Sequence, residues 1–495
     1  MLRALARSGL LRPNSPRRLG AQAWALRRWG TGPEGLLRAA AARSPDHPAL
    51  IDAVGEMSYA ELLAATERLA HRLRLAGARG EDMRVGVLAR GPRETVQALL
   101  ATLTLGYDAV LLNPQLRPSQ LDRLTAALGL RHLNAVPGFP GLPEPATLRT
   151  APTHRPPPRR GRVTVLTAGT TGTPKSVMRP PRSRFTSLVG LLERVPLTVD
   201  DRVAIAVPLH GMWGHAAMHT CLGLGATMVL RDRFDAAELL GTVVSRRCSV
   251  LVTAPVVLQR VMELAPRPTA LRLVAVGGSV LPTGLAESFM DAYGDILYNI
   301  YGSSEVACAS IATPADLRGA PQSAGRPPRG TTVTIRDAGG RELPPGRTGQ
   351  VFVRNRMIFT GYLSGPSGPR SAAHPTGDLG HIGAGGLLYI DGREDDMIVS
   401  GGENVFPGPV ERLIEELPEV REVAVLGVPD DDFGHRLIAF VVLRSGTALA
   451  PDTIRQYVRD RLLPPSVPRE VIFVAQLPRN AAGKVVTSLL PREEQ

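Results

Sequence analysis

The residues able to do chemistry in this 495-residue chain fall into a few short clusters. The first is Val163-Thr-Val-Leu-Thr-Ala-Gly-Thr-Thr-Gly-Thr-Pro-Lys175, an apolar strand running into a loop of glycines and hydroxyls that ends on a lysine. Glycine lets a backbone approach a polyphosphate, amides and hydroxyls donate hydrogen bonds, and the ammonium offsets charge. The spacing is not that of a Walker loop, because Pro174 stands where Gly169 would require a second glycine. An ordinary Ser/Thr/Gly loop has the same composition.

Tyr301-Gly302-Ser-Ser304-Glu305 follows an apolar run. Its ring offers a stacking face for a base, and its carboxylate a hard oxygen ligand for Mg²⁺. A turn with an exposed glutamate would look alike. Asp378, in Thr-Gly-Asp, and Arg393, in Gly-Arg-Glu-Asp395-Asp396, could hold a ribose diol or form a structural pair. Finally, Lys484 ends the loop Pro-Arg-Asn-Ala-Ala-Gly-Lys. Of 58 basic residues only Lys175 and Lys484 are lysines, so both lysines fall in candidate loops. A compact ammonium on a flexible stem is not interchangeable with a guanidinium fork.

These clusters need a frame. From about residue 49 the chain alternates strand-like and helix-like patterns: a Ser58/Glu61 capping box opens a helix through Leu75, and Val85–Leu88, Ala109–Leu112, Val203–Val207, Ser249–Thr253 and Leu273–Val276 read as buried strands. Such alternation predicts an α/β fold of parallel, helix-covered sheets. Residues 137–162, dense in Pro and Arg, read as a surface connection. Beyond about 325, Gly/Pro turns between short alternating strands predict a β-rich subdomain. The last hundred residues predict a small, compact α+β domain. The expected organisation is an N-terminal extension over 1–34, a large domain over 35–392, a hinge at 393–396 and a C-terminal domain over 397–495.

Length excludes a single small core, and 43% apolar with 21% charged residues excludes a disordered chain. Three scattered cysteines exclude a disulfide framework and point to a reducing compartment. The net charge of +13 is concentrated: residues 1–30 hold seven arginines and no acid. With 4% aromatic residues, the remainder gives little support to nucleic-acid binding. Residues 1–30 read as two basic amphipathic helices broken at Pro13 and Pro16, fitting a transit peptide, a membrane-surface anchor, or helices packed on their own domain. The expected location is cytoplasmic, with peripheral membrane contact through this segment, or mitochondrial if it is a transit peptide. The uncharged run Val203–Leu230 is long enough to span a bilayer, but its Pro, Gly and His residues make it strand, turn, helix and strand instead.

In this order and spacing the motifs resemble the adenylate-forming superfamily of acyl-CoA synthetases, luciferases and adenylation domains, over roughly residues 35–490. Gly401-Gly402-Glu-Asn-Val-Phe-Pro with Glu411 is similar to the acyl-CoA synthetase branch. The resemblance implies that Thr167, Gly169, Thr170, Thr171, Gly172 and Lys175 cradle phosphates, and that Gly277, Gly278, Ser279, Asn299, Tyr301, Gly302 and Ser304 surround the nucleotide. It further implies that Glu305 binds Mg²⁺, Asp378 and Arg393 hold ribose, Asp395 is the hinge, Gly401 and Gly402 line a CoA channel, and Lys484 promotes adenylation.

The implied cofactors are ATP, Mg²⁺ and CoA, and the implied partner is a small carboxylic acid. Oligomeric state is not legible. Some positions depart from the family pattern: Ser176 replaces a glycine, Ala168 a frequent serine and Ser304 a threonine, and the histidine of the 208–214 segment is displaced by one. The acyl pocket is expected along 209–223 and 277–281, with His210, Trp213, Ala216, Ala217, Met218 and Gly223 and no charge, which favours an apolar acid, a fatty acid first. Alternatives are loading of a carrier-protein thiol, an aryl-acid CoA ligase, or a non-catalytic acyl-binding protein.

Overall fold

The computed structural model describes residues 1–75, 83–88, 91–130, 132–134, 155–167, 175–180, 185–264, 270–363, 373–400, 403–430, 434–480 and 485–491. Two sheets carry the large domain. One has eight strands, with 202–205, 250–253, 273–277 and 297–303 parallel and adjacent, and antiparallel edges at 307–312 and 56–58. The other has six strands, in which 84–87, 108–111, 132–134 and 163–167 are parallel and 175–178 returns antiparallel.

The chain crosses between sheets early. Pro48–Ile51 pairs with Thr227–Val229 in the first sheet, and the chain then builds the second. The main core fills the space between the sheets: Leu37, Leu50, Tyr59, Leu99, Leu103, Leu111, Val165, Met218, Leu222 and Val250 are almost wholly buried. Burying one such large side chain contributes about 1.5–3 kcal/mol. A second cluster packs helices Ala236–Ser245, Pro255–Met262 and Thr283–Tyr293 on the outer face of the eight-stranded sheet.

Local signals hold where they were expected. Ser58 and Glu61 form the reciprocal cap, with Ser58 N donating to Glu61 at 2.7 Å and Glu61 N to Ser58 Oγ at 3.2 Å. The helix runs Tyr59–Leu75. The uncharged run is strand Arg202–Ile205, helix Met212–Leu224 and strand Thr227–Val229; Gly225, at φ 78°, stops the helix. Among the described residues no helix is long and apolar enough to cross a membrane. The β-rich part is a five-stranded sheet of 323–325, 332–336, 349–354, 374–382 and 388–393. The small C-terminal domain packs helices Pro407–Glu415 and Pro451–Arg459 on a three-stranded sheet around Ile414, Val441, Ile454 and Val458.

The N-terminal segment is two helices, Leu2–Arg7 and Pro16–Trp29, seated on the large domain. Ala4, Leu5 and Trp29 are buried, Arg12 pairs with Asp200 at 2.5 Å, and Arg38 lies 3.5 Å over the Trp29 ring. Of the three readings of this segment, packing on its own domain is therefore present in the structure. Leu2, Leu11, Leu19 and Trp24 still face outward.

Candidate active site

Strand Leu297–Ser303 is the spine of the site. Parallel pairing sets Val276 beside Asn299 and Gly277 beside Ile300, bringing the glycine pair to the end of the strand that carries Tyr301. Gly277 leaves little room for a side chain: a Cβ there would lie 3.0 Å from Ile300 O and 3.3 Å from the Trp213 ring. Gly278 sits at φ 89°, a conformation open to glycine, and Ser279 follows half-buried. The hydrogen bond from Trp213 Nε1 to Thr253 O, 2.9 Å, fixes the indole against that glycine.

On the other side of Tyr301 lies a closed polar network. Its hydroxyl donates to Asp378 and also meets Thr376 Oγ1 at 3.3 Å. Asp378 and Arg393, fifteen positions apart in sequence, face each other in antiparallel register, with Nη1 at 3.4 Å from Oδ1. Arg393 Nε also donates to Asp395 at 2.8 Å. Burial and the neighbouring Asp378 push the Tyr301 phenol well above its ordinary range, so it stays protonated as a donor. The hydrogen bond from Arg393, with Lys175 among the nearby charges, holds the Asp395 carboxyl low.

Glu305 follows in the turn. Tyr362 donates to its Oε1 at 3.1 Å, and its backbone N–H is capped by Ser303 Oγ at 3.2 Å. Magnesium takes one or two carboxylates and fills its remaining positions with phosphate oxygens and water. One partly open carboxylate flanked by Ser303 and Ser304 fits that demand, and among the described residues no denser cluster of metal-binding side chains occurs.

Lys175 begins the return strand directly opposite Thr167, and its side chain is exposed. Gly169, Thr170, Thr171, Gly172, Gly401, Gly402 and Lys484 lie outside the described residues, as does the Thr167 side chain. The residues flanking Lys484 are described. Arg479 and Val485 form an antiparallel bridge, and Asn480 lines the cavity described next.

That cavity, about 860 Å³, opens beside Gly277, Gly278, Gly302 and Ser304 and runs between the two sheets along helix Met212–Leu224. His210, Trp213, Ala216 and Ala217 line it as expected. Met218 and Gly223 do not: Met218 is in the core, and Gly223 faces Leu188 and Leu36. Ser279, Asn299, Tyr301, Glu305, Asp378 and Arg393 stand outside it, so among the described residues the polar network and the cavity meet along Gly302, Ser303 and Ser304.

The expectation of an uncharged pocket is overturned. Arg179, four residues after Lys175, lines the cavity and is 5% exposed. Its Nη1 donates to Ser304 O at 2.8 Å and its Nη2 to Met357 O. Burial lowers its pKa to about 10, which still leaves it charged at neutral pH. His215 and His219, one turn apart, also line the cavity; burial lowers them to about 3 and about 4, so both are neutral. The signals were a basic residue closing an apolar strand and an i,i+4 histidine pair in an uncharged stretch. Read only as interruptions of a membrane span, the histidines concealed that role. The cysteines are free, and burial pushes their thiols up to about 12, leaving them unreactive.

Known proteins share this fold. The AMP-binding enzyme family model matches residues 37–363, and the model of its C-terminal domain matches 409–484. Indoleacetate–CoA ligase of Aromatoleum aromaticum is 30% identical over 470 residues, covering 87% of this chain and 92% of the relative. 2-Succinylbenzoate–CoA ligase of Bacillus licheniformis is 29% identical, covering 91% and 98%. Among solved structures, o-succinylbenzoate CoA synthetase of Bacillus subtilis with its acyl-adenylate superposes with a TM-score of 0.80 at 26% identity over 93% of this chain and 98% of that one. ATP-bound MatB of Rhodopseudomonas palustris gives 0.82 at the same identity and coverage. With most of its length matched and both regions in order, the chain belongs to the AMP-binding enzyme family.

Proposed function

We propose that this chain joins a carboxylic acid to CoA in two steps, forming an acyl-adenylate from ATP and then passing the acyl group to the CoA thiol. The observation that carries this reading is the single strand Leu297–Ser303, which links the polar network around Tyr301 to the 860 Å³ cavity through Gly302 and Ser303. In this reading Tyr301 and Asn299 face the base, and Asp378 with Arg393 holds the ribose. Thr167, Gly169, Thr170, Thr171, Gly172 and Lys175 hold the phosphates. Glu305 would ligate Mg²⁺, which when bound offsets pyrophosphate charge.

A carboxylate and an α-phosphate repel each other. Lys484, in the loop after the cavity-lining Asn480, offsets both charges where the new C–O–P bond forms. Rotation of the small domain about Asp395 would then withdraw Lys484 and present the Gly401–Gly402 segment to the thiol. Relatives named as ligases of indoleacetate, 2-succinylbenzoate and sulfoacetate support acid-to-CoA joining as the reaction class. The cavity volume favours an acid with a large apolar body, aliphatic or aromatic. Peripheral membrane contact is also part of the proposal: Leu2, Leu11, Leu19 and Trp24 are exposed among the N-terminal arginines.

The test is ATP–pyrophosphate exchange across a panel of fatty and aryl acids, followed by thioester formation with CoA or a carrier-protein thiol. Exchange with at least one acid and thioester with CoA is expected. No exchange with any acid sinks the enzyme reading, and transfer to a carrier thiol alone replaces CoA as acceptor.

A further inference from the structure

We infer that Arg179 and His215 form a carboxylate-binding subsite inside the acid cavity. This rests on the acid-ligase reading for the ligand's identity, but the subsite itself stands on geometry. Arg179 is almost wholly buried, and among the described residues no carboxylate lies within ion-pair distance of it. Its hydrogen-bond partners, Ser304 O, Glu305 O and Met357 O, are all backbone carbonyls. Of the other buried arginines among the described residues, Arg38 pairs with Glu67 and Arg43 donates to Gly9 O, and neither lines the cavity as Arg179 does. Glu305 is the nearby negative charge, but it is not in ion-pair contact; a buried guanidinium without such contact is costly, and this one stands on the cavity wall, where something that enters can meet it.

His215 supplies the second observation. It is 7% exposed, lines the same cavity, and its Nδ1 has no hydrogen-bond partner among the described residues. Its electrostatic coupling to Arg179 puts the two groups in one neighbourhood. Most of the surrounding wall is apolar, with Val165, Leu188, Leu191 and Val203; the other two arginines of the lining, Arg329 and Arg356, are exposed, and Arg329 pairs with Glu193. A guanidinium and a neutral imidazole in such a wall would select an anion carrying an apolar body, which describes an organic carboxylate. The carboxylate could be the reacting one or a second one on the same molecule, since both present the same oxygens.

The test is calorimetric binding of octanoate, octanedioate, 3-phenylpropanoate and indole-3-acetate to the full chain without ATP, in the wild type and in Arg179→Gln, Arg179→Lys and His215→Phe. Pyrophosphate exchange is measured in parallel. Charge-assisted hydrogen bonding predicts about 10- to 100-fold weaker acid binding in Arg179→Gln, with partial rescue in Arg179→Lys and an unchanged KM for ATP. A loss shared equally by monoacids and diacid marks the reacting carboxylate, and a loss larger for the diacid marks a second one. Should the glutamine variant fail to fold, His215→Phe carries the test through a loss of several-fold. Acid affinity unchanged within twofold in the variants, an equal loss of ATP affinity, or no acid binding to the wild type overturns the inference. Arg179-dependent acid binding without exchange sinks the ligase reading and leaves the subsite standing.

Discussion

The two halves of the site differ in how their polar groups are matched. Around Tyr301, Asp378, Arg393 and Asp395, donors and acceptors meet within the chain. In the cavity a few strand positions away, Arg179 donates to backbone carbonyls and, among the described residues, His215 Nδ1 has no hydrogen-bond partner. The first half is a preformed frame, able to orient a ligand that varies little. The second holds unmet polar demand that its ligand must satisfy. That is where selectivity accumulates, because leaving a buried polar group unmatched costs about 1–3 kcal/mol.

The largest effect expected of any change is at Lys484. Lys484→Ala should lower adenylation about 10²–10³-fold while supplied acyl-adenylate is still converted to thioester; equal loss of both would remove the assigned role. Next, Asp378→Ala breaks the matched half by leaving Tyr301 and Arg393 short of a partner, and should raise the KM for ATP about 10-fold with little change in acid affinity. Parallel loss of acid affinity would show the halves to be one unit. Gly277→Ala acts in the opposite direction, pressing on the Trp213 ring, and should discriminate among acids more than it changes ATP binding. Selectivity across the acid panel indistinguishable from wild type would argue against Trp213 as a wall of the acid site.

Smallest are the pH effects. His215 is depressed to about 3, so the unfolded chain binds the extra proton between that value and the ordinary 6.5. Stability from this group is fully present above about 6.5 and declines as pH falls. His215→Phe should therefore flatten the acid side of the melting curve. Glu415 has the opposite sign: burial raises it to about 8, so its contribution declines as pH rises from about 4.5 to 8. Glu415→Gln should raise the melting temperature by a few degrees at pH 8 and hardly at pH 5. No pH dependence in the difference between variant and parent would refute each assignment.

Much of the frame was legible because its signals are local. The Ser58/Glu61 cap, the apolar runs and the glycine that ends Met212–Leu224 each act within a few residues. Partnerships across the chain were not legible. Spacing alone left open whether Asp378 and Arg393 form a pair, which antiparallel register decides, and nothing local marks Arg179 as reaching Ser304. Arg179 in sequence is an arginine among 56, indistinguishable from those on the surface until burial separates them. The two lysines stood out by rarity, whereas the cation that distinguishes the cavity was hidden by abundance.

The seat of the N-terminal segment has a practical consequence for anyone trimming the protein. Gly32 and Pro33, just beyond the second helix, form part of the cavity wall, and the backbone of Thr31 bonds to His219. A chain shortened to begin at residue 34, to remove a suspected anchor, would also lose part of the wall of the proposed acid cavity. Its altered acid preference could then be mistaken for a consequence of losing lipid contact. Charge reversal of the outward arginines in the full-length chain separates the two.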